Sequence, residues 1–165
     1  MRLPPPGDQE EFYNALLQNA RTEPESAVIM LLWRTGMHAS TLCSTKFIID
    51  EPGHIVWRRP KTGKPLSAAL PDNEIRTILR CRDAGSLPTA QRTLRRWVER
   101  VGDRAGIAGC CPLMLRHSRT IWLRQRGFRL EEVAQLMGCS VQVVVKYYAL
   151  LRADGLADKA ARLVQ

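Results

Sequence analysis

Much that would simplify a reading of this chain of 165 residues is scarce or missing. No apolar run approaches the roughly 20 residues that a membrane span needs; stretches such as Ala27–Trp33 stop far short. The opening MRLPPPGDQEEF lacks the apolar centre of a secretory signal, so a cytoplasmic setting is expected. Cysteines number five, an odd count with no CxxC pair. That excludes the usual signatures of a disulfide framework and of a zinc ribbon. Cys43, Cys81 and Cys110 therefore read as reduced packing residues. No repeat or low-complexity tract stands out beyond Pro4–Pro6.

Negative charge is also short. Sixteen acidic residues face 25 lysines and arginines, for a formal net charge of +9. Such an excess calls for a polyanionic partner, and a Lys-rich amphipathic anchor for a membrane surface is not seen. Arginine outnumbers lysine, and its planar fork suits phosphate better than a point charge does. Nucleic acid is the expected partner. Hydrophobic residues make up 45% of the chain, enough for a real core. A single domain over 1–165 is expected, with 1–7 flexible and a last helix over 153–165.

The periodicity predicts a mainly α chain with one small sheet. Asp8 and Glu11 form a capping-box variant for a helix to about Ala20, and Thr22 with Glu25 repeats the device for a second. Pro24 is tolerated in that first turn. Ala27, Met30, Leu31 and Arg34 share a face, and Gly36 breaks the helix. A short helical turn is expected within His38–Thr45. The period then changes to two: Phe47–Ile49, His54–Arg59 and Leu66–Leu70 predict three antiparallel strands in a meander. Asp72 opens a helix to about Arg82. Thr89 is expected to cap a longer one to about Ala105, with Leu94, Trp97, Val98 and Val101 as its apolar stripe. The opposite face carries Arg92, Arg95, Arg96 and Arg100, which Glu99 and Asp103 offset in part. Another helix runs from about Leu113 to Arg126.

The stretch Leu130–Leu151 predicts helix, turn, helix. Leu130, Val133, Ala134 and Met137 recur at helical spacing. Gly138 suits a left-handed helix end, and Ser140 can cap the helix that follows. That second helix carries Tyr147 and Tyr148, and Asp154–Leu163 reads as a final amphipathic helix.

Five local patterns, in order, resemble the catalytic domain of the tyrosine recombinase (phage integrase) family. Thr35–Leu42, TGMHASTL, is similar to the family's TGLRxSEL. Lys61-Thr62-Gly63-Lys64 sits where the family has its β-hairpin lysine. Pro112–His117, PLMLRH, is similar to PHxLRH. Gly138-Cys139-Ser140 is similar to the LGH/WS turn, and Tyr148 lies nine residues past Cys139, at the family's distance to its nucleophile. The likeness runs from about Asp8 to the C-terminus and lacks the family's separate N-terminal core-binding domain.

The resemblance implies a mechanism. A tyrosine oxygen attacks a DNA phosphodiester, forms a 3′-phosphotyrosine and releases a 5′-hydroxyl. Two arginines meet the charge growing on the nonbridging oxygens. A lysine protonates the leaving oxygen, and histidines hydrogen-bond or assist proton transfer. Neither metal nor cofactor is required. Carried over residue by residue, Tyr148 is the nucleophile, with Tyr147 as the fallback for a register error of one. Arg116 is the second phosphate-binding arginine, Lys61 the hairpin lysine with Lys64 as substitute, and His117 the histidine after that arginine. Three positions depart from the pattern: His38 stands for the first arginine, Leu113 for a histidine, and Cys139 for His or Trp. Losing one donor to a developing oxyanion costs about 10²–10³ in rate, so strand-exchange activity is expected to be weakened or lost. Arg34 is a candidate to compensate. The expected DNA contacts are Arg58, Arg59, Lys61, Lys64, Arg92, Arg95, Arg96, Arg116 and Lys146, on double-stranded DNA. A DNA-dependent homo-oligomer through the last helix is a further expectation.

Two other readings fit parts of the chain. Leu130–Leu151 also suits a non-catalytic helix-turn-helix regulator, with Gln142, Lys146 and Tyr147 facing a groove. His38, His117 and Cys139 are zinc-type donors, but no H-x-x-x-H or CxxC spacing supports a metal site.

Overall fold

A computed structural model of the chain describes residues 3–50 and 53–147. Within them the elements run α1 (Gln9–Asn19), α2 (Glu23–Thr35), α3 (Ala39–Cys43), β1 (Phe47–Asp50), β2 (His54–Arg58), β3 (Pro65–Ala69), α4 (Asp72–Asp83), α5 (Gln91–Arg104), α6 (Pro112–Gln125) and α7 (Leu130–Met137). Helical backbone resumes over 141–147. The chain is mainly α with one three-stranded antiparallel sheet, as its periodicity predicts. Tyr148 and the expected final helix Asp154–Leu163 lie outside the described residues.

The strands lie in the order β1-β2-β3, with Phe47 opposite Trp57 and Trp57 opposite Leu66. All three of these side chains are buried, while Ile48 and Ser67 on the other face are exposed. This is the period-two division of a sheet with one face on a core.

The core is built round α2. Ala27, Val28, Ile29, Leu31, Leu32 and Trp33 are all buried, so the helix is apolar around most of its circumference and has to be enclosed. It touches α1, α4, α5, α6 and β3. Trp33 stacks on Tyr13 with ring centres 4.3 Å apart and meets the edge of Trp122 at 5.4 Å. Its indole N–H donates to Ser118 Oγ at 2.9 Å, tying α2 to α6. A smaller cluster of Leu123, Val133, Ala134, Met137 and Val144 joins α6, α7 and the segment 141–147.

Helix ends depart from expectation in detail. Asp8 caps α1 by accepting from Glu10 N at 2.9 Å rather than through a box with Glu11. Thr22 Oγ1 accepts from Glu25 N at 3.2 Å, but the Glu25 carboxylate accepts from Arg21 N and from Arg104 of α5. Thr89 does not cap α5; Ala90 holds that position without a side-chain bond. Among the described residues no helix is long and apolar enough to cross a membrane.

Candidate functional site

Gly36 ends α2 at φ +66°, a left-handed conformation that glycine adopts without penalty. A Cβ there would lie 2.4 Å from Met137 Cε, so glycine also lets the end of α7 approach. Arg116, in the second turn of α6, locks this junction. Its Nη1 donates to the Gly36 carbonyl and its Nη2 to the Met137 carbonyl, the latter at 2.7 Å. Three separate segments thereby place one guanidinium.

Among the described residues no carboxylate pairs with Arg116. Burial pulls its pKa below the ordinary value and Arg59 adds to the effect, yet an arginine stays protonated at neutral pH. His38 is pulled down as well, first by desolvation and then by Arg116, Arg59 and Lys61. Its imidazole is therefore neutral at pH 7. Cys139 is held up as a thiol by burial, against the opposing pull of Arg116 and Arg59. The result is a concentration of positive charge with no carboxylate paired to Arg116 among the described residues.

Arg116 lines two hollows. The larger, about 370 Å³, is walled by Met37–Ser40, by Gln91 and Arg95 of α5, and by Cys111, Pro112, Leu113 and Arg116. Leu113 is 48% exposed there and offers no hydrogen bond. The smaller holds Arg116, His117, Thr120, Met137, Cys139, Val143, Val144 and Tyr147. His117 is buried, its pKa lowered by burial and then by Arg116, and its ring lies 4.3 Å from that of Tyr147.

The structure thus gathers Arg116, His38, Cys139 and His117 about one centre, with the hairpin cations Lys61 and Arg59 in electrostatic reach. Tyr147 is turned toward His117, not toward an open groove; Gln142 and Lys146 are exposed. Lys64 and Arg58 sit exposed on the hairpin, where Arg58 Nη1 donates to the Gly63 carbonyl at 3.0 Å. The basic face of α5 divides. Arg95 turns to the central hollow, while Arg96 and Arg100 line a separate depression with Glu99 and Asp103; Arg92 is exposed. Among the described residues no group of three His, Cys, Asp or Glu side chains could hold a metal ion.

Arg34 does not reach this centre. Its Nε and Nη2 donate to the two Glu74 oxygens at 3.0 Å each, and Tyr13 donates to the same carboxylate at 2.9 Å. Sequence reasoning missed Gln91 altogether and took Arg95 as one basic residue of a helix face. Their i, i+4 spacing was visible, but which face meets the site is a matter of packing.

No protein-family model matches the chain. Its sequence is 27% identical over 152 residues to tyrosine recombinase XerA of Pyrococcus furiosus, covering 82% of this chain and 53% of that protein. The chain thus spans about half the length of that relative. Among solved structures it is similar to XerA recombinase, with a TM-score of 0.72, 18% identity and coverage of 89% of this chain and 61% of that one. It is also similar to XerH site-specific recombinase bound to its difH substrate, with a TM-score of 0.69, 20% identity and coverage of 94% and 53%. A lambda integrase dimer bound to a core site follows at 0.64, 15% identity and coverage of 89% and 49%. The chain is related in sequence to a tyrosine recombinase and has the fold of that family's catalytic core.

Proposed function

We propose that this chain binds double-stranded DNA, engages a backbone phosphate at Arg116, and carries the strand-transfer chemistry of a tyrosine recombinase in weakened form. One observation bears most of the weight: a desolvated guanidinium, fixed by two main-chain carbonyls, faces a hollow with cations around it and no carboxylate partner among the described residues. A buried charge left unpaired is costly, and a phosphodiester would relieve that cost through charge-assisted hydrogen bonds.

Tyr148 is the proposed nucleophile. Its oxygen loses its proton to solvent and forms the bond to phosphorus as the P–O5′ bond breaks; the 3′ side stays on the enzyme, and the 5′ oxygen leaves with a proton from Lys61. Arg116 stabilises the charge on the nonbridging oxygens. His117, neutral and packed on Tyr147, supports the geometry of the following helix instead of touching DNA. Neutral His38, Leu113 and thiol Cys139 supply less than the groups they stand for, and such losses need not add when groups act as a unit. Working on DNA, the protein would act in the cytoplasm, and as part of a DNA-bound homo-oligomer.

The test starts from duplexes selected from a random-sequence library for binding to the full chain. Nicked versions of them serve as suicide substrates that trap a covalent adduct. A small yield of adduct with the wild-type chain and none with Tyr148→Phe is expected. Equal trapping by Tyr148→Phe moves the nucleophile elsewhere, and binding without any adduct leaves a DNA-binding domain with lost chemistry. Failure to retain any duplex would sink the proposal.

A further inference from the structure

Arg116 spends two of its five N–H donors on the carbonyls of Gly36 and Met137. The three that remain can meet a phosphate, but they carry a single positive charge. The position where the resemblance calls for another arginine holds His38, which is uncharged at neutral pH. A phosphoryl group that gains charge on its way to the transition state needs a second preorganised cation. The hollow beside His38 contains one.

Gln91 and Arg95 reach that hollow from α5. Four residues apart on one helix, they sit one above the other on a single face. This brings an amide and a guanidinium to the same hollow of about 370 Å³ that Arg116 lines. Other arginines of α5 are placed differently: Arg96 and Arg100 share their depression with Glu99 and Asp103. Arg95 has no carboxylate partner among the described residues. The α5 backbone behind it is held firmly. Arg104 donates to the Asn19 carbonyl at 2.8 Å and to Glu25 at 2.5 Å, while Leu94, Val98 and Val101 are fully buried.

We propose that Arg95, assisted by Gln91, makes the second cationic contact to the DNA phosphate that Arg116 binds, in place of the arginine absent at position 38. This rests on the reading of Arg116 as a phosphate ligand. Arg95 donates to a nonbridging oxygen from the α5 side, Arg116 from the α6 side, and Leu113 closes the hollow with an apolar wall.

A mutant cycle on duplex affinity tests the assignment, using a fluorescent duplex selected for binding to the full wild-type chain. Arg95→Gln and Arg116→Gln are each expected to weaken binding about 10-fold, the size of one good charged contact. Because both residues hold one phosphate, the double variant should lose clearly less than the product of the single losses. Arg92→Gln combined with Arg116→Gln should multiply fully, as independent contacts do. Arg95→Lys, which keeps the charge, should recover most of the loss. Thermal melts confirm folding, and Arg116→Lys replaces Arg116→Gln in the cycle where the latter does not fold.

Losses at 95 and 116 that multiply as freely as those at 92 and 116 would overturn the proposal while leaving Arg116 as a phosphate ligand. So would coupling of Arg59→Gln, rather than Arg95→Gln, to Arg116, which moves the second cation to the hairpin. If folded Arg116 variants bind as wild type, the phosphate reading itself fails and this assignment falls with it.

Discussion

Arg34 and Arg116 both lie close to the Gly36 junction, and their partners give them opposite roles. Glu74 is 7% exposed and Arg34 19%, and the pair is closed further by the Tyr13 hydroxyl. Burial, and then the adjacent carboxylate, push the Tyr13 pKa upward, so it remains a hydrogen donor. Removing one partner of such a pair strands the other charge. Glu74→Ala is therefore expected to destabilise the fold by about 3 kcal/mol in urea unfolding. Arg80→Ala, which breaks the exposed pair with Glu23, should leave the midpoint where it is. His117 provides a second test at this scale. Its folded pKa is lowered from an ordinary 6.5, so below that pH the unfolded chain binds more protons than the folded one. Stability should be complete above about pH 6.5 and fall as the pH drops through that value toward the folded pKa. Melting temperatures measured from pH 7.5 to 5.5 should show this decline, and His117→Phe should make it shallower, leaving the part that the likewise lowered His38 supplies. A wild-type curve that rises on acidification would contradict the buried neutral imidazole.

Helices meet at this site through small residues. Gly138, at φ +64°, ends α7 with Leu66 of β3 so near that a Cβ would lie 2.6 Å from its Cδ1. On α5, a Cβ at Gly102 would fall 2.2 Å from Cys110 Cβ. Alanine normally gains about 1 kcal/mol over glycine inside a helix. Here overpacking costs about 1–3 kcal/mol or more, so Gly102→Ala should lower stability on balance, as calorimetry can show. An unchanged or raised melting temperature would mean that α5 and the Cys110 segment are not so closely apposed. Much of this level was legible beforehand. Alternation marked the three strands, helical spacing marked α5 and α7, and Gly36 and Gly138 marked their helix ends. Thr89 misled because a residue that can cap does so only where the chain turns into the helix, and that turn falls at Ala90.

At the scale of the whole molecule, the charge excess is not spread evenly in its meaning. Part of it is neutralised locally, as Arg104 is by Glu25 and Arg126 by Glu10. Other cations sit on the hairpin, on the Arg95 side of α5 and near the start of α6, where no ion pair is found among the described residues. If these surfaces contact at least four phosphates, duplex affinity should fall about 100-fold between 50 and 200 mM salt, following the release of about 0.9 counterions per phosphate. Anisotropy titrations across that range measure it. A flat salt dependence would remove the basic surfaces from the binding mode.

What could be read from the sequence alone was the list of local elements within the described residues, the basic character, and positions 38, 61, 116, 139 and 148 as candidates. Each of these depends on neighbours in the chain or on residue type. What the tertiary structure decided was which charges are free. Arg34 and Arg116 look alike in a sequence, but Glu74, 40 residues from Arg34, neutralises one, while the carbonyls of Gly36 and Met137, 80 and 21 residues away, hold the other without cancelling its charge. Arg95 likewise differs from Arg96 only by the rotation of α5 against the hollow. Electrostatics acts through space, and only the packing of the helices brings these distant groups within its range.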